Sequence, residues 1–368
     1  MASALPLKSQ LLRTAETLLI AAAGAAVFTS VGLPAGMVTG ALLCVGVAAL
    51  VGRPMLVPLP LSRVISVLVG ISLGAVVTPD TLRGVTAFPL SIAVLTVSTI
   101  CMIVATASYL RLVHGWDARS AVCGASPGGL AQVMTLSAEY GADLRAIAIV
   151  QVMRVVLLTI GIPSGLALFG LSAQNTLAQR AGAAPATIAE LAILIAVSTS
   201  TAFILARFRL PGGLLFGAMI GSGFLHGAGY INSVLPFWIA SMAVVGIGAF
   251  TGARFANTAP RLLLRYIWAA LGSFAVALSV ASAFVLLLTT LLSVRVADAV
   301  VAFAPGAQDT MMVLALSLHL DPVFVGAHHL WRFMLVSLTL PFQVRRAGNV
   351  LRPAKDEPPP RQRLPFED

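Results

Sequence analysis

Charge is what this sequence has least of. Only 13 acidic and 23 basic residues stand among 368, so charged residues make up 10% of the chain. Soluble domains carry roughly a quarter, and a mean hydropathy of +0.97 excludes a water-soluble globule. Cysteine is scarce too. Cys44, Cys101 and Cys123 lie in apolar surroundings without paired spacing. That argues against a disulfide frame or a thiolate metal site and for three small buried hydrophobes. Histidine numbers five, concentrated at His319 and His328-His329. Adjacent histidines point about 100° apart on a helix. Neither H-E-x-x-H nor a cysteine-rich spacing accompanies them, so no metal is expected and a proton-handling histidine is the better reading. No G-x-x-x-x-G-K-[ST] phosphate loop is present, which leaves ion or proton coupling as the energy source and no cofactor implied.

The formal charge of +10 raises the question of nucleic acid. The basic residues are spread through short loops and a polar tail, as in cytoplasmic loops that face anionic lipid. With no basic helix face and no recognition motif, direct nucleic-acid binding is not expected.

What the chain does have is long apolar runs, and stretches of roughly 20 such residues span a bilayer. The periodicity predicts membrane helices near 12–31, 34–52, 58–79, 88–111 and 145–170, then near 187–206, 211–229, 234–254, 264–293 and 322–343. The stretch 264–293 is expected to begin with an interfacial turn. The first span follows Lys8 and Arg13 and runs directly into more membrane sequence, unlike a cleaved signal peptide. Between the fourth and fifth helix of each half lies an apolar segment, 121–142 and 299–320, broken by Pro-Gly. Such a break survives in hydrocarbon only where protein or a water-filled cavity surrounds it.

The chain also repeats itself. Pro127-Gly128-Gly129, Met134, Asp143, Arg154 and Pro163 return 178 residues later as Pro305-Gly306-Ala307, Met312, Asp321, Arg332 and Pro341. Leu33-Pro34-Ala35-Gly36 returns as Leu210-Pro211-Gly212-Gly213, shifted by 177. The expected division is an N-terminus at 1–11, a first membrane repeat at 12–170, a linker at 171–186, a second repeat at 187–343 and a disordered cytoplasmic tail at 344–368. The fold class is therefore an all-α polytopic membrane protein with two repeats, each about five transmembrane helices plus a broken segment.

Charge placement decides the orientation of the repeats. If the broken segments do not cross, Lys8, Arg13, Arg53, Arg63, Arg111, Arg119, Arg145, Arg207, Arg209, Arg254, Arg261, Arg265, Arg345 and Arg346 share the cytoplasmic side. Only Arg83, Arg180 and Arg295 then fall outside. If both segments cross, Arg207 to Arg265 move outside, against the positive-inside bias. Inverted repeats in a bacterial inner membrane follow.

Broken helices expose backbone groups near the midplane, and half-helix N-termini favour anions. Ser126-Pro127-Gly128-Gly129 and Ala304-Pro305-Gly306-Ala307 are expected to open half-helices, with proline at the first helical position. Arg154 and Arg332 lie about ten residues into apolar helices, where a charge is costly unless it pairs or lines water. Two uses compete. Each could partner Asp143, Asp321 or a backbone carbonyl, or each could bind a substrate carboxylate or phosphate through its planar fork. Gln151 lies three residues before Arg154 and its counterpart His329 three before Arg332, with His328 alongside. Asp309 stands opposite Ala131 and is the candidate for ion or proton coupling, or else an ion-pair partner of Arg332. His328 is a second proton candidate. Gln132 and Thr310 are equivalent and offer neutral hydrogen bonds. The expected substrate site thus holds Ser126, Pro127, Gly128, Gly129, Gln132, Gln151, Arg154, Pro305, Gly306, Thr310, His329 and Arg332. Glycines at 36, 40 and 46, at 70 and 74, at 217, 221, 223 and 227, and at 246, 248 and 252 read as helix-packing faces.

The segments from Ala125 to Gln132 and Gln151 to Arg154, their counterparts from Ala304 to Thr310 and His328 to Arg332, and the two Leu-Pro-x-Gly motifs resemble the AbrB-type duplicated membrane protein family. The resemblance covers 12–343. Labels within that family disagree, naming an ammonia monooxygenase, a transporter or a regulator of gene expression. The family shares its name with a soluble DNA-binding regulator, whose β-rich domain has no counterpart here. An imidazole and carboxylate set able to activate oxygen is not visible, which disfavours the monooxygenase. A membrane regulator acting through a partner stays open. The best reading is a secondary transporter of a small organic anion with a midplane site, in contact with membrane lipid and compatible with a homodimer.

Overall fold

The computed structural model describes residues 6–77, 88–127, 129–171, 187–208, 212–231, 233–256, 258 and 260–349. Among these residues there are fourteen α-helices and no strand. The first half contains α1 (Leu7–Ser30), α2 (Gly36–Leu50), α3 (Leu59–Gly74), α4 (Phe88–His114), α5 (Ala118–Ala125), α6 (Leu130–Glu139) and α7 (Leu144–Leu168). The second contains α8 (Ile188–Arg207), α9 (Gly213–Gly227), α10 (Phe237–Gly252), α11 (Pro260–Leu291), α12 (Val296–Phe303), α13 (Gln308–Ser317) and α14 (Pro322–Asn349). A short 3-10 turn, Ala253–Phe255, extends α10. Seven helices are long and apolar enough to cross a bilayer, and α2, α3 and α9 are shorter apolar helices. The chain is a membrane protein.

Several expected bounds move. The first helix begins at Leu7 rather than 12, because Pro6 can start a helix whose first N–H groups need no partner. No turn opens the long helix of the second half: α11 is continuous for 32 residues from Pro260. The last helix runs to Asn349, six residues past its expected end at 343, so the tail starts later. The expected linker, apart from Leu171, lies outside the described residues, as do Arg83, Arg180, Arg209, Leu210-Pro211, the first five residues and the chain beyond 349.

The broken segments are hairpins. The first limb, α5, begins where the second, α6, ends: Arg119 Nη1 donates to the Tyr140 carbonyl at 3.0 Å. The Asp143 N–H donates to Ser120 Oγ at 2.8 Å. In the second half the Asp321 N–H reaches Asp298 Oδ1 at 2.9 Å, and Arg295 clamps the same carboxylate. Each segment therefore returns to the end of the bundle it left, and the tips hold Pro127 and Pro305-Gly306. Neither proline occupies a first helical position. Both lie in the connection between limbs, with Gly129 and Ala307 as the N-caps of α6 and α13. The physical reason is that both limbs need their own backbone bonds, and proline, without an N–H, costs least at the turn between them.

Packing does not follow the sequence halves. Helices α1, α2 and α3 pack with α8, α9 and α10 into one bundle, while α4 to α7 pack with α11 to α14 into a second that carries both hairpins. The first bundle is closed by glycine. A Cβ on Gly74 would fall 2.5 Å from the Met219 carbonyl oxygen, and one on Gly252 would fall 2.6 Å from that of Leu42. Gly248 meets Val38 at 2.7 Å, and Gly70 meets Leu215 more closely still. These contacts exchange between halves: α3 lies on α9 as α10 lies on α2. In the second bundle α4 and α11 run antiparallel. Tyr109, late in α4, touches Trp268 early in α11, while Met102 packs on Ala277 and Ala281 further along.

Adding a side chain at such a contact forces helix axes apart at about 1–3 kcal/mol. Gly74→Val is expected to lower the unfolding temperature of the detergent-purified protein. Gly165→Ala, where a Cβ meets nothing within 4 Å, is not.

Candidate functional site

The hairpin tips meet at the junction of the two bundles. A cavity of about 110 Å³ lies between them, lined by Pro127, Gly129 and Leu130 from the first tip, and Gly306, Ala307, Gln308 and Asp309 from the second. His329, Arg332 and Phe333 of α14 close one side, and Gly212 and Arg254 of the other bundle close the opposite side. A smaller space of about 10 Å³ adjoins, lined by Gln151, Arg154 and Pro305 as well as Arg254.

The two deep arginines are spent on backbone. Arg154 donates from Nη1 to the Ala125 carbonyl at 3.3 Å and from Nη2 to the Ser126 carbonyl at 3.1 Å. Arg332 donates from Nη1 to the carbonyls of Phe303 at 3.2 Å and Ala302 at 3.5 Å. These carbonyls end α5 and α12, where no further turn of helix exists to accept them. The guanidinium charge also neutralises the negative end of each first limb. Asp143 and Asp321 pair with neither arginine. Each caps its own helix, accepting from Arg145 and Ala146 N–H groups in one case and Val323 and Phe324 in the other.

The mismatch of Gln151 with His329 is chemically silent. Gln151 Nε2 donates to the Cys123 carbonyl at 3.1 Å, and His329 Nε2 donates to the equivalent Val301 carbonyl at 2.9 Å. His329 Nδ1 accepts from Arg332, which requires the neutral ring with its proton on Nε2.

Other expected site residues go elsewhere. Ser126 is fully buried and bonds back to the Val122 carbonyl, beneath the tip rather than in the cavity. Gln132 accepts from Ser337 Oγ at 2.9 Å, and Thr310 faces Thr251 at 3.4 Å, so both fasten hairpins to neighbouring helices. His328 points away from the cavity: it sits among Phe88, Phe303 and Phe324, with Nδ1 on the Phe324 carbonyl and Nε2 on Ser91 Oγ. It precedes His329 by one helical step of about 100°, enough to turn it onto the opposite neighbour. Gly128 lies outside the described residues. Asp309 lines the cavity and forms no ion pair with Arg332.

Arg254 is the residue that sequence reasoning misplaced. It belongs to the cavity wall, with its guanidinium carbon 4.9 Å from the Phe250 ring centroid. Counted as a loop charge, it hid a signal: its repeat counterpart is Val76, as that of Asp309 is Ala131. These two charges, each set against an apolar residue in the other half, face one space.

The cavity has donors in excess. Gln308 Nε2 and Arg154 Nε are buried without a hydrogen-bond partner among the described residues. Helices α6 and α13 start there without side-chain caps, and their first main-chain bonds are from Val133 to Gly129 and from Met311 to Ala307. The N–H groups ahead of these aim at the tips. No group of three His, Cys, Asp or Glu comes together among the described residues.

A sequence profile of the AbrB family, described as transition state regulatory protein AbrB, matches residues 37–348. The chain is similar to "Uncharacterized protein YhjN" of Bacillus subtilis (strain 168), at 24% identity over 88% of this chain and 90% of the relative. It is also similar to "Putative regulator AbrB" of Escherichia coli (strain K12), at 29% identity over 59% of this chain and 63% of that protein.

Loss of a charge-assisted bond to a buried carbonyl costs about 1.5–3 kcal/mol. Arg332→Leu is therefore expected to destabilise the protein strongly in thermal unfolding. His329→Gln, which keeps one donor and one acceptor as Gln151 does, is expected to stay within about 1 kcal/mol of wild type.

Proposed function

The chain belongs to the AbrB family, and for this member we propose secondary transport of a small organic anion, coupled to a cation, across a bacterial inner membrane. The observation that carries this reading is the donor excess at the hairpin tips. Arg154 and Arg332 cancel the negative ends of α5 and α12, while the positive N-terminal ends of α6 and α13 stay open to a cavity that also holds Arg254. A carboxylate, sulfonate or phosphate oxygen is the group that satisfies such a set.

Transport asks for two states about one site. The antiparallel run of α4 and α11 supports inverted repeats. The hairpins also differ in their seating. Helix α13 of the second packs on α3 and α10 of the other bundle, whereas α6 of the first packs on α5 and α7 of its own. Exchanging the roles of the halves gives the alternative state, with α6 seated on α3 and α13 withdrawn. The end of the protein at which α1, α5 and α7 begin, with Arg53 beside Glu16 of α1, Arg119 in α5 and Arg145 in α7, is assigned to the cytoplasm.

Two experiments test the proposal. Binding of acetate and methanesulfonate to the detergent-purified protein is expected for wild type and lost in Arg254→Gln, which remains folded. Retained affinity in that variant removes Arg254 from the site. In a chain with Cys44, Cys101 and Cys123 replaced, the pair Thr251→Cys and Thr310→Cys should cross-link in the state described. The repeat-equivalent pair, Leu73→Cys and Gln132→Cys, should cross-link in membranes as well, because the alternative state brings it together. Failure of the second pair would mean one fixed conformation. A regulator, as the name of the Escherichia coli relative has it, would instead show Arg254→Gln altering a gene-expression readout with no change in anion flux.

A further inference from the structure

We infer that Asp309 is the proton-carrying group of the site and that one proton enters with each anion; the inference rests on the anion-site reading above. Asp309 lies in the first turn of α13 and lines the cavity with Arg254. Among the described residues it is the one acidic side chain on either tip cavity. No arginine or lysine nitrogen approaches it within 4.0 Å among the described residues, so no ion pair locks it.

The other charged or titratable groups facing this space have fixed duties. Arg332 holds the carbonyls of α12, and Arg154, across the smaller cavity, holds those of α5. His329 is held neutral between Arg332 and the Val301 carbonyl, since a second ring proton would face a guanidinium. Arg254 keeps its charge at any physiological pH. Asp309 alone can change the charge of the site by taking one proton.

Size makes that change necessary. A cavity of about 110 Å³ places any anion it admits beside the carboxyl group. Two negative charges in such a space disfavour each other, and protonation of the carboxyl relieves them. A sodium ion would instead meet one carboxylate beside the Arg254 guanidinium and the open N–H ends of α6 and α13, which repel it. In the empty site the Asp309 carboxylate is the counter-charge to Arg254. An arriving anion takes over that role as the carboxylate becomes a carboxylic acid, and a monoanion then enters with no net charge. The exchange also accounts for two departures from the repeat at this cavity, Asp309 against Ala131 and Arg254 against Val76.

The test is the pH dependence of methanesulfonate binding by calorimetry on the full-length, detergent-purified protein. This probe stays ionised throughout, so any pH dependence belongs to the protein. For wild type the Kd should rise about tenfold per pH unit once Asp309 is ionised, the slope of one linked proton. Asp309→Asn should bind with the low-pH affinity at every pH. Heats measured in buffers of different ionisation enthalpy should report one proton taken up per anion by wild type. This second readout decides the matter if the variant does not fold. A flat wild-type profile without proton uptake, or a slope that persists in Asp309→Asn, overturns the inference and leaves the anion site standing. Absence of binding at every pH removes both.

Discussion

A carbonyl oxygen at the end of a helix inside a membrane has no water to turn to, and the rest of this structure follows from how two such ends are satisfied. Helices α5 and α12 stop within the protein, and their last carbonyls would be orphaned in a medium that cannot hydrate them. Arg154 and Arg332 reach across from α7 and α14 to accept that duty. Gln151 and His329 add one donor each, a turn lower. The cost of burying a guanidinium is offset because it meets several acceptors at the negative end of a helix dipole. Without those side chains neither hairpin could end where it does.

The same solution sets the electrical character of the junction. Each hairpin has a first limb whose carbonyl end points at the tip and a second limb whose N–H end points at it. Arginine neutralises the first and leaves the second, so donors remain where the tips meet. The bundle opposite contributes Arg254 at the end of α10, whose short length leaves that side chain at the cavity rather than in solvent. Tight glycine contacts hold α10 on α2 and α9 on α3, so the wall that carries Arg254 is a rigid surface. Against it stands a bundle that bears both hairpins, and α13 of the second packs on that wall at α3 and α10.

Much of this was legible in the residues. The recurrence of Pro-Gly, Asp and Arg at one offset predicted two equivalent broken segments, and the same offset relates hydrogen bonds: Ser120 to Asp143 as Asp298 to Asp321. Other inferences failed for identifiable reasons. Proline was expected inside a helix start because that is its common place, but a hairpin tip uses it between limbs. His328 looked like a site residue because it neighbours His329, yet adjacent residues on a helix face different neighbours. Arg254 was counted with the loops because a charge beyond an apolar run normally reaches water. Gln132 and Thr310 were polar in an apolar background, and they serve helix-to-helix contacts instead.

The sequence by itself determined that the chain lives in a membrane, that it is helical, and that Arg154, Asp309 and Arg332 carry charge within apolar segments. Those properties depend on composition and period, which hydrocarbon reads locally. Only the tertiary structure decided that the arginines cap carbonyls, that the tips converge, and that Asp309 and Arg254, from different bundles, share a cavity. Such pairings depend on where distant helices cross. No local pattern encodes a crossing point, because it is set by the glycine contacts of one bundle and the hairpins of the other acting together.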